Sequence, residues 1–337
     1  MAGFVIDRII PQAGVRGGQV AVYGTGITSE GMETCRLLFG SQATRPALVT
    51  STCVLGVVPE APISNTVQLE QHGQCSNAVA FTAATLLAEN LHPVANPVID
   101  RSGAIYTTIS GTKGQQLPVS IYKVTRFGEV EPFASDIINP TGLAFGPDGG
   151  LYVSSRHQGK LYRINEQGIV APFAEDLGIP TGLTFDLHGR LWVGDRHGTI
   201  YQVSDTGQPR VVAKLSPSVA AYHLAYGDDD RLYVSYPTLS GEDRVYRITP
   251  DGEVDIFARG LARAQGLAFD AERNLYVVAY DQGQGGVIRI TPAGDLCRVV
   301  AGINLVGLAF SPDGAFILAD NSALYRLDLG VQGRPLP

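Results

Sequence analysis

The chain has 337 residues, 45% hydrophobic and 17% charged, a balance that belongs to globular rather than disordered proteins. Its net charge is −7, and neither residues 1–84 (five acids, four bases) nor the remainder (27 acids, 21 bases) is basic, with no Lys/Arg cluster interleaved with aromatics. Nucleic acid is therefore excluded as an expected partner, and no apolar run approaches the ~20 residues that a membrane helix needs. The start, MAGFVIDRII, lacks the basic, apolar and small-residue regions of a secretory signal. A cytoplasmic location is expected for the chain as written, and a secreted or periplasmic one if a signal has been removed.

In chain order, residues 3–84 read as a small all-β domain. FVIDRIIPQAGVRGGQVAVYGTGI gives a strand, a Pro/Gly turn and the alternating strand Gln19–Tyr23. CRLLFGSQATRPALVTSTCVLGVVPEAP gives two or three more strands, and TVQLEQHGQCSNAVAFT a hairpin with His72 and Gly73 near its tip. Ile9-Ile10-Pro11, Gly14, Gly17-Gly18, Val20, Val22 and Gly24 carry a resemblance, joined by Leu38-Phe39-Gly40, Val57-Val58-Pro59, Val67, Gly73, Ser76 and Phe81. On these the segment resembles the IPT/TIG family of immunoglobulin-like domains, which implies an accessory or interaction module. Cys35, Cys53, Cys75 and Cys297 have no CxxC or metal-ligand spacing and read as small buried or half-buried thiols. A Cys35–Cys53 bridge stays open.

From residue 85 the chain repeats itself. NPTGLAFGPDGGLYVSSRHQGKLYRINEQGIVAPFA, from Asn139, returns as IPTGLTFDLHGRLWVGDRHGTIYQV, from Ile179. Looser copies begin at His223, Gln265 and Val306, and a degenerate one at Asn96. The anchoring apolar position falls at Ile105, Leu151, Leu191, Leu232, Leu275 and Phe316, with spacings of 46, 40, 41, 43 and 41 residues. A period near forty containing only strand-like segments predicts a β-propeller, here of six blades. Within a copy, GLAF, LYVS, KLYRI and IVAPFA read as four strands separated by Gly/Pro/Asp turns. The last copy lacks its fourth strand. LLAENLHPVANPVID aligns without a gap on PFAEDLGIPTGLTFD, so Thr85–Ala88 is expected to complete the sixth blade and close the ring. The predicted organisation is all-β: an immunoglobulin-like β-sandwich at 1–84 and a propeller at 85–337.

The repeated GLAF…PDG.LYV…LYRI…G…FA units resemble the NHL and SMP-30/gluconolactonase class of six-bladed propellers. That class implies a ligand site where the inner strands begin. Residues just before those strands are Ala95, Thr141, Thr181, Tyr222, Gln265 and Val306, and the loops there carry Ser155-Arg156-His157, Asp195-Arg196-His197, Tyr236, Tyr280-Asp281 and Asp320-Asn321. SMP-30-like lactonases hold a divalent metal with a Glu and an Asn or Asp at such positions. Here the Glu position is Ala95, and no carboxylate occupies the others. No metal site or other cofactor is expected, and a calcium ion is disfavoured.

The remaining chemistry is the pair Arg156-His157 and Arg196-His197 in equivalent loops, with His223 opening the next inner strand. A cationic, titratable patch suits an anionic ligand. The plainer alternative is repeat duplication, with Arg solvated or paired with Asp195. Ligand-contacting candidates are Arg156, His157, Asp195, Arg196, His197, Tyr222, His223, Gln265, Tyr280 and Asp281. Two functions are carried forward. One is a non-enzymatic protein that binds a protein or small-molecule partner at the propeller mouth or blade edges. The other is an SMP-30-like hydrolase or lyase with catalytic candidates His157, His197 and His223. The N-terminal unit is expected at the lower rim near the sixth blade, leaving the mouth open.

Overall fold

A computed structural model describes residues 4–29, 32–60 and 65–334. Among these the chain is all-β apart from a 3-10 turn at Met32–Thr34. Near the N-terminus, Val5–Ile10, Gln19–Thr25, Cys53–Val57 and Leu48–Val49 form one antiparallel sheet, and Val79–Ala80, Thr66–Gln71, Arg36–Phe39 and Gln42–Thr44 lie in a second. Alternate residues such as Val20 and Val22, Leu37 and Phe39, and Val67 and Leu69 meet in one core with Phe81. This is the two-residue period of strands buried on one face. Cys35 is buried and Cys53 half-buried, whereas Cys75 and Cys297 are exposed rather than buried, and all four are free, so the bridge left open by the sequence is not formed. Burial pushes the Cys35 and Cys53 thiols above their usual range.

The repeats fold as small antiparallel meanders. In the second repeat, Pro140–Phe145, Leu151–Ser155, Lys160–Ile164 and Val170–Ala174 pair in that order, and the first and third repeats form like sheets. The fourth and fifth repeats merge, because Leu261 and Ala262 pair with Asp281 and Tyr280. In the sixth, Leu305–Phe310, Ala315–Asp320 and Ala323–Asp328 are completed by Thr85–Glu89, with Leu86 opposite Tyr325. The innermost strands touch in succession, and that of the sixth repeat touches that of the first.

Two recurring devices brace the repeats, one within a repeat and one between neighbours. An Asp in the first turn of a repeat accepts a hydrogen bond from the aromatic of the second strand: Tyr106 to Asp100 at 3.2 Å, Tyr152 to Asp148 at 3.2 Å, Trp192 to Asp186 at 3.0 Å and Tyr233 to Asp229 at 2.9 Å. The same tyrosine ring then meets two phenylalanines edge-on. Tyr152 lies 4.9 Å from Phe173 of its own outer strand and 5.0 Å from Phe185 of the next repeat, and Tyr233 stands likewise to Phe257 and Phe269. Each such pair adds about 0.5–1.5 kcal/mol beyond the area it buries. The turn glycines serve the same contact. A Cβ on Gly168, Gly207 or Gly252 would stand 2.0–2.3 Å from a carbonyl oxygen of the preceding repeat's outer strand, and Gly128 meets Leu87 of the closing strand at 2.2 Å. All four also have positive φ, a region costly to other residues.

Ala13–Gly14 pairs in parallel with Thr82–Ala83 on one side and with Ala301 on the other, extending the outer edge of the fifth repeat. Gly18 lies against Ala301 and Gly17 against Ile303, while Arg16 stacks over Tyr325. The segment 301–303 leads into the start of an inner strand, which is the upper side. The N-terminal unit therefore docks on the outer flank, reaching the upper side between the fifth and sixth repeats, rather than at the lower rim. The cause is an open strand edge at Leu296–Ala301 that Ala13–Gly14 covers.

Candidate functional site

A cavity of about 400 Å³ runs along the axis enclosed by the inner strands. Its wall is mainly apolar. Leu143, Leu183, Leu224, Leu267 and Leu308 contribute, and Phe145, Phe185, Phe269 and Phe310 stand at the strand ends. The third position of each inner strand is small or medium-sized: Val98, Ala144, Thr184, Ala225, Ala268 and Ala309. All six line the cavity, and Ala144, Ala225, Ala268 and Ala309 also rest against the cores between repeats. Above them the first position holds Asn96, Gly142, Gly182, His223, Gly266 and Gly307. There the strands approach closely: a Cβ on Gly142 would lie 2.3 Å from the Thr181 oxygen, and one on Gly182 2.4 Å from that of Tyr222.

Polar groups at the lower end are paired. Asp186 accepts from Arg190 Nε at 2.6 Å and Trp192 Nε1 at 3.0 Å. Burial alone would raise its carboxyl, yet these donors and two backbone N–H groups hold it below the usual range. Arg334, brought in by the C-terminal tail, donates to the Tyr226 carbonyl and lies 3.0 Å from Asp228. The tail is held by Ala271 N to Gln332 O at 2.9 Å and Arg334 N to Phe269 O at 3.1 Å. Its part in the wall had no repeat signal to reveal it.

Of the ligand-contacting candidates read from the sequence, His223 lines this cavity and the others do not; Ala95, at the lactonase Glu position, lines it too. His223 is 3% exposed, and burial lowers its imidazole to about 4, so the ring is neutral at ordinary pH. Its Nε2 has no hydrogen-bond partner. Arg156 is half-buried and donates to Ser110 Oγ at 3.0 Å; burial and then Arg196 lower its pKa. Arg196 donates to the carbonyls of Ser218 and Val219 at 3.3 and 2.9 Å rather than to Asp195. Asp195 is buried and accepts from the backbone N–H groups of Ile179 and His197 at 2.8 and 3.2 Å. His157 is exposed over the Gly114 loop, and exposed His197 has Nδ1 3.5 Å from Asp195. No hydrogen bond joins any two of His157, His197 and His223 among the described residues.

The other candidates serve packing and loop geometry. Tyr222 is buried, stacks on Tyr236 at 4.3 Å and donates its hydroxyl to the Ser216 carbonyl. Burial first, then Tyr236, pushes its phenol far above the ordinary value. Gln265 bonds Leu305 O at 3.2 Å. Tyr280 and Asp281 lie in the extended hairpin of Leu275–Asp281 and Gln284–Ile290. The residues at the metal positions of the lactonase resemblance do not fit a hard cation. Thr181 Oγ1 accepts from Tyr222 N at 2.9 Å, Tyr222 and Gln265 are committed as above, and Ala95 and Val306 offer no side-chain oxygen. Among the described residues, no three His, Cys, Asp or Glu side chains gather in a metal-binding group, and no helix is long and apolar enough to cross a membrane.

No protein-family model and no curated protein matches the chain. Solved structures do. A gluconolactonase-like protein is similar at 19% identity and a TM-score of 0.61, over 75% of this chain and 94% of its own. An auxiliary nutrient binding protein from Bacteroides ovatus matches at 14% identity and 0.55, over 96% of this chain and 97% of its own. A virginiamycin B lyase from Staphylococcus aureus matches at 16% and 0.52, over 97% and 99%. At such identities the likeness shows the fold alone, which is that of a β-propeller.

Proposed function

We propose that this is a non-enzymatic binding protein whose ligand enters the cavity enclosed by the inner strands. Residues 85–337 form six blades in this reading, the merged sheet counting as two, and residues 1–84 form an immunoglobulin-like accessory unit. Support for six blades comes from the cyclic contacts of the inner strands and from Gly128 meeting Leu87. The observation that carries the function is the cavity itself. It is roomy, apolar and bounded by few polar groups, as small-molecule sites are. Support against the hydrolase or lyase alternative comes from the dispersal of His157, His197 and His223 and from the unsuitable metal positions.

The test is calorimetric titration with neutral bicyclic aromatics, indole among them. Saturable binding is expected in the native protein and is expected to vanish in Ala225→Trp and Ala268→Trp, which fill the axis. A lactonase assay with δ-gluconolactone and calcium is expected to give no turnover above background. Binding unchanged in both filled variants would overturn the cavity reading, and turnover abolished by His157→Ala or His197→Ala would restore the enzyme.

A further inference from the structure

The first position of the inner strands is a ring of close approach, and five of its six members have an evident structural role. Gly142, Gly182, Gly266 and Gly307 are small because backbone lies 2.3–2.6 Å from where a Cβ would stand, or a neighbouring side chain closer still. Asn96 uses its amide as a clamp, donating to Leu267 O at 2.9 Å and accepting from Leu308 N at 3.1 Å. His223 has no such role. It introduces an imidazole where its counterparts have hydrogen or a clamped amide, it is almost wholly buried, and Nε2 is unpartnered. A buried polar nitrogen with no partner is disfavoured by desolvation; Nε2 is closed to solvent as the chain stands, so a molecule in the cavity completes its hydrogen bonding by turning the ring toward itself.

The remaining wall sets the ligand's character. The two ionised groups on it, Asp186 and Arg334, already have counter-charges in Arg190 and Asp228. Nothing there calls for a net charge. Burial also keeps the imidazole uncharged, leaving one donating and one accepting nitrogen. We propose that His223 is the polar anchor of the cavity, hydrogen-bonding the one polar group of an uncharged, otherwise apolar small molecule seated beneath the glycine ring. This rests on the cavity being the binding site.

Three near-isosteric probes separate the two ideas: indole, which donates, benzofuran, which accepts, and indene, which does neither. With the native protein, indole or benzofuran is expected to bind about fivefold more tightly than indene, the scale of one neutral hydrogen bond. In His223→Phe that preference is expected to vanish while indene affinity stays within about twofold. Ring 15N resonances of His223, assigned by their absence in His223→Phe or His223→Asn, are expected to move with the preferred probe and not with indene. Equal affinity for all three probes in the native protein, or a preference that survives in the variants, would overturn the anchor while leaving the cavity reading intact. Failure of every probe to bind, or binding that persists in Ala225→Trp, would overturn the cavity reading and the anchor with it.

Discussion

At the lower end of the inner strands, Asp186 accepts four hydrogen bonds and Arg334 is paired with Asp228. At the upper end, glycines bring backbone against backbone around a His223 whose Nε2 has no partner. Polar groups below hold structure together, because each has its counterpart within the chain. Above, close packing and the Asn96 amide do the holding, and the His223 imidazole is left over. The contrast separates polar groups that have partners within the chain from one that has none, a distinction that residue type alone does not make.

The sharpest way to break this contrast is at a glycine. Gly182→Val would drive a branched side chain into the Tyr222 carbonyl and the Leu224 side chain. The expected loss is about 4 kcal/mol, read by urea denaturation; a loss below about 1 kcal/mol would mean that the strands can part freely.

Acid should expose His223 next. Its folded pKa, about 4, lies below the ordinary 6.5, so the folded state binds fewer protons in between. The associated stability is fully present above pH 6.5 and is lost as pH falls towards 4, on the order of 3 kcal/mol. Denaturation curves at pH 7 and pH 4.5 should lie closer together in His223→Phe than in the native protein, and an unchanged gap would contradict the burial.

At the lower end, Asp186→Ala leaves the indole N–H of Trp192 buried without its acceptor. A cost of about 2 kcal/mol is expected. Trp192 is the only tryptophan, so its fluorescence reports the change directly. Arg334→Ala should cost least, under about 1 kcal/mol, since the pair with Asp228 is partly solvated. A larger loss by the same denaturation measurement would make the tail an integral part of the ring rather than a cover at its edge.

Much of the fold was legible because each repeat carries its own instructions. The spacing of Leu151, Leu191, Leu232 and Leu275 marked the second strands, and the match of 86–100 to 172–186 placed the closing strand that pairs Leu86 with Tyr325. The site was legible only in part. His223 was one of ten ligand-contacting candidates, while Arg156 and Arg196 drew attention first by residue type, and their neutral partners Ser110, Ser218 and Val219 lie in loops that no repeat register aligns. The small third positions from Val98 to Ala309 were in plain view, although a small residue reads as packing until the axis it faces is known. The Asp in the first turn of the first four repeats read as turn chemistry alone, and its bond to the Tyr or Trp of the next strand depends on a side chain folding back over the hairpin.

By itself the sequence determined the all-β repeats and the strand that closes them, because local alternation and turn residues act over a few positions and recur with the period. Tertiary structure decided where the N-terminal unit docks, which polar atoms find partners and where space remains along the axis. Those outcomes depend on atoms far apart in the chain meeting at distances of a few ångströms, which no local pattern encodes.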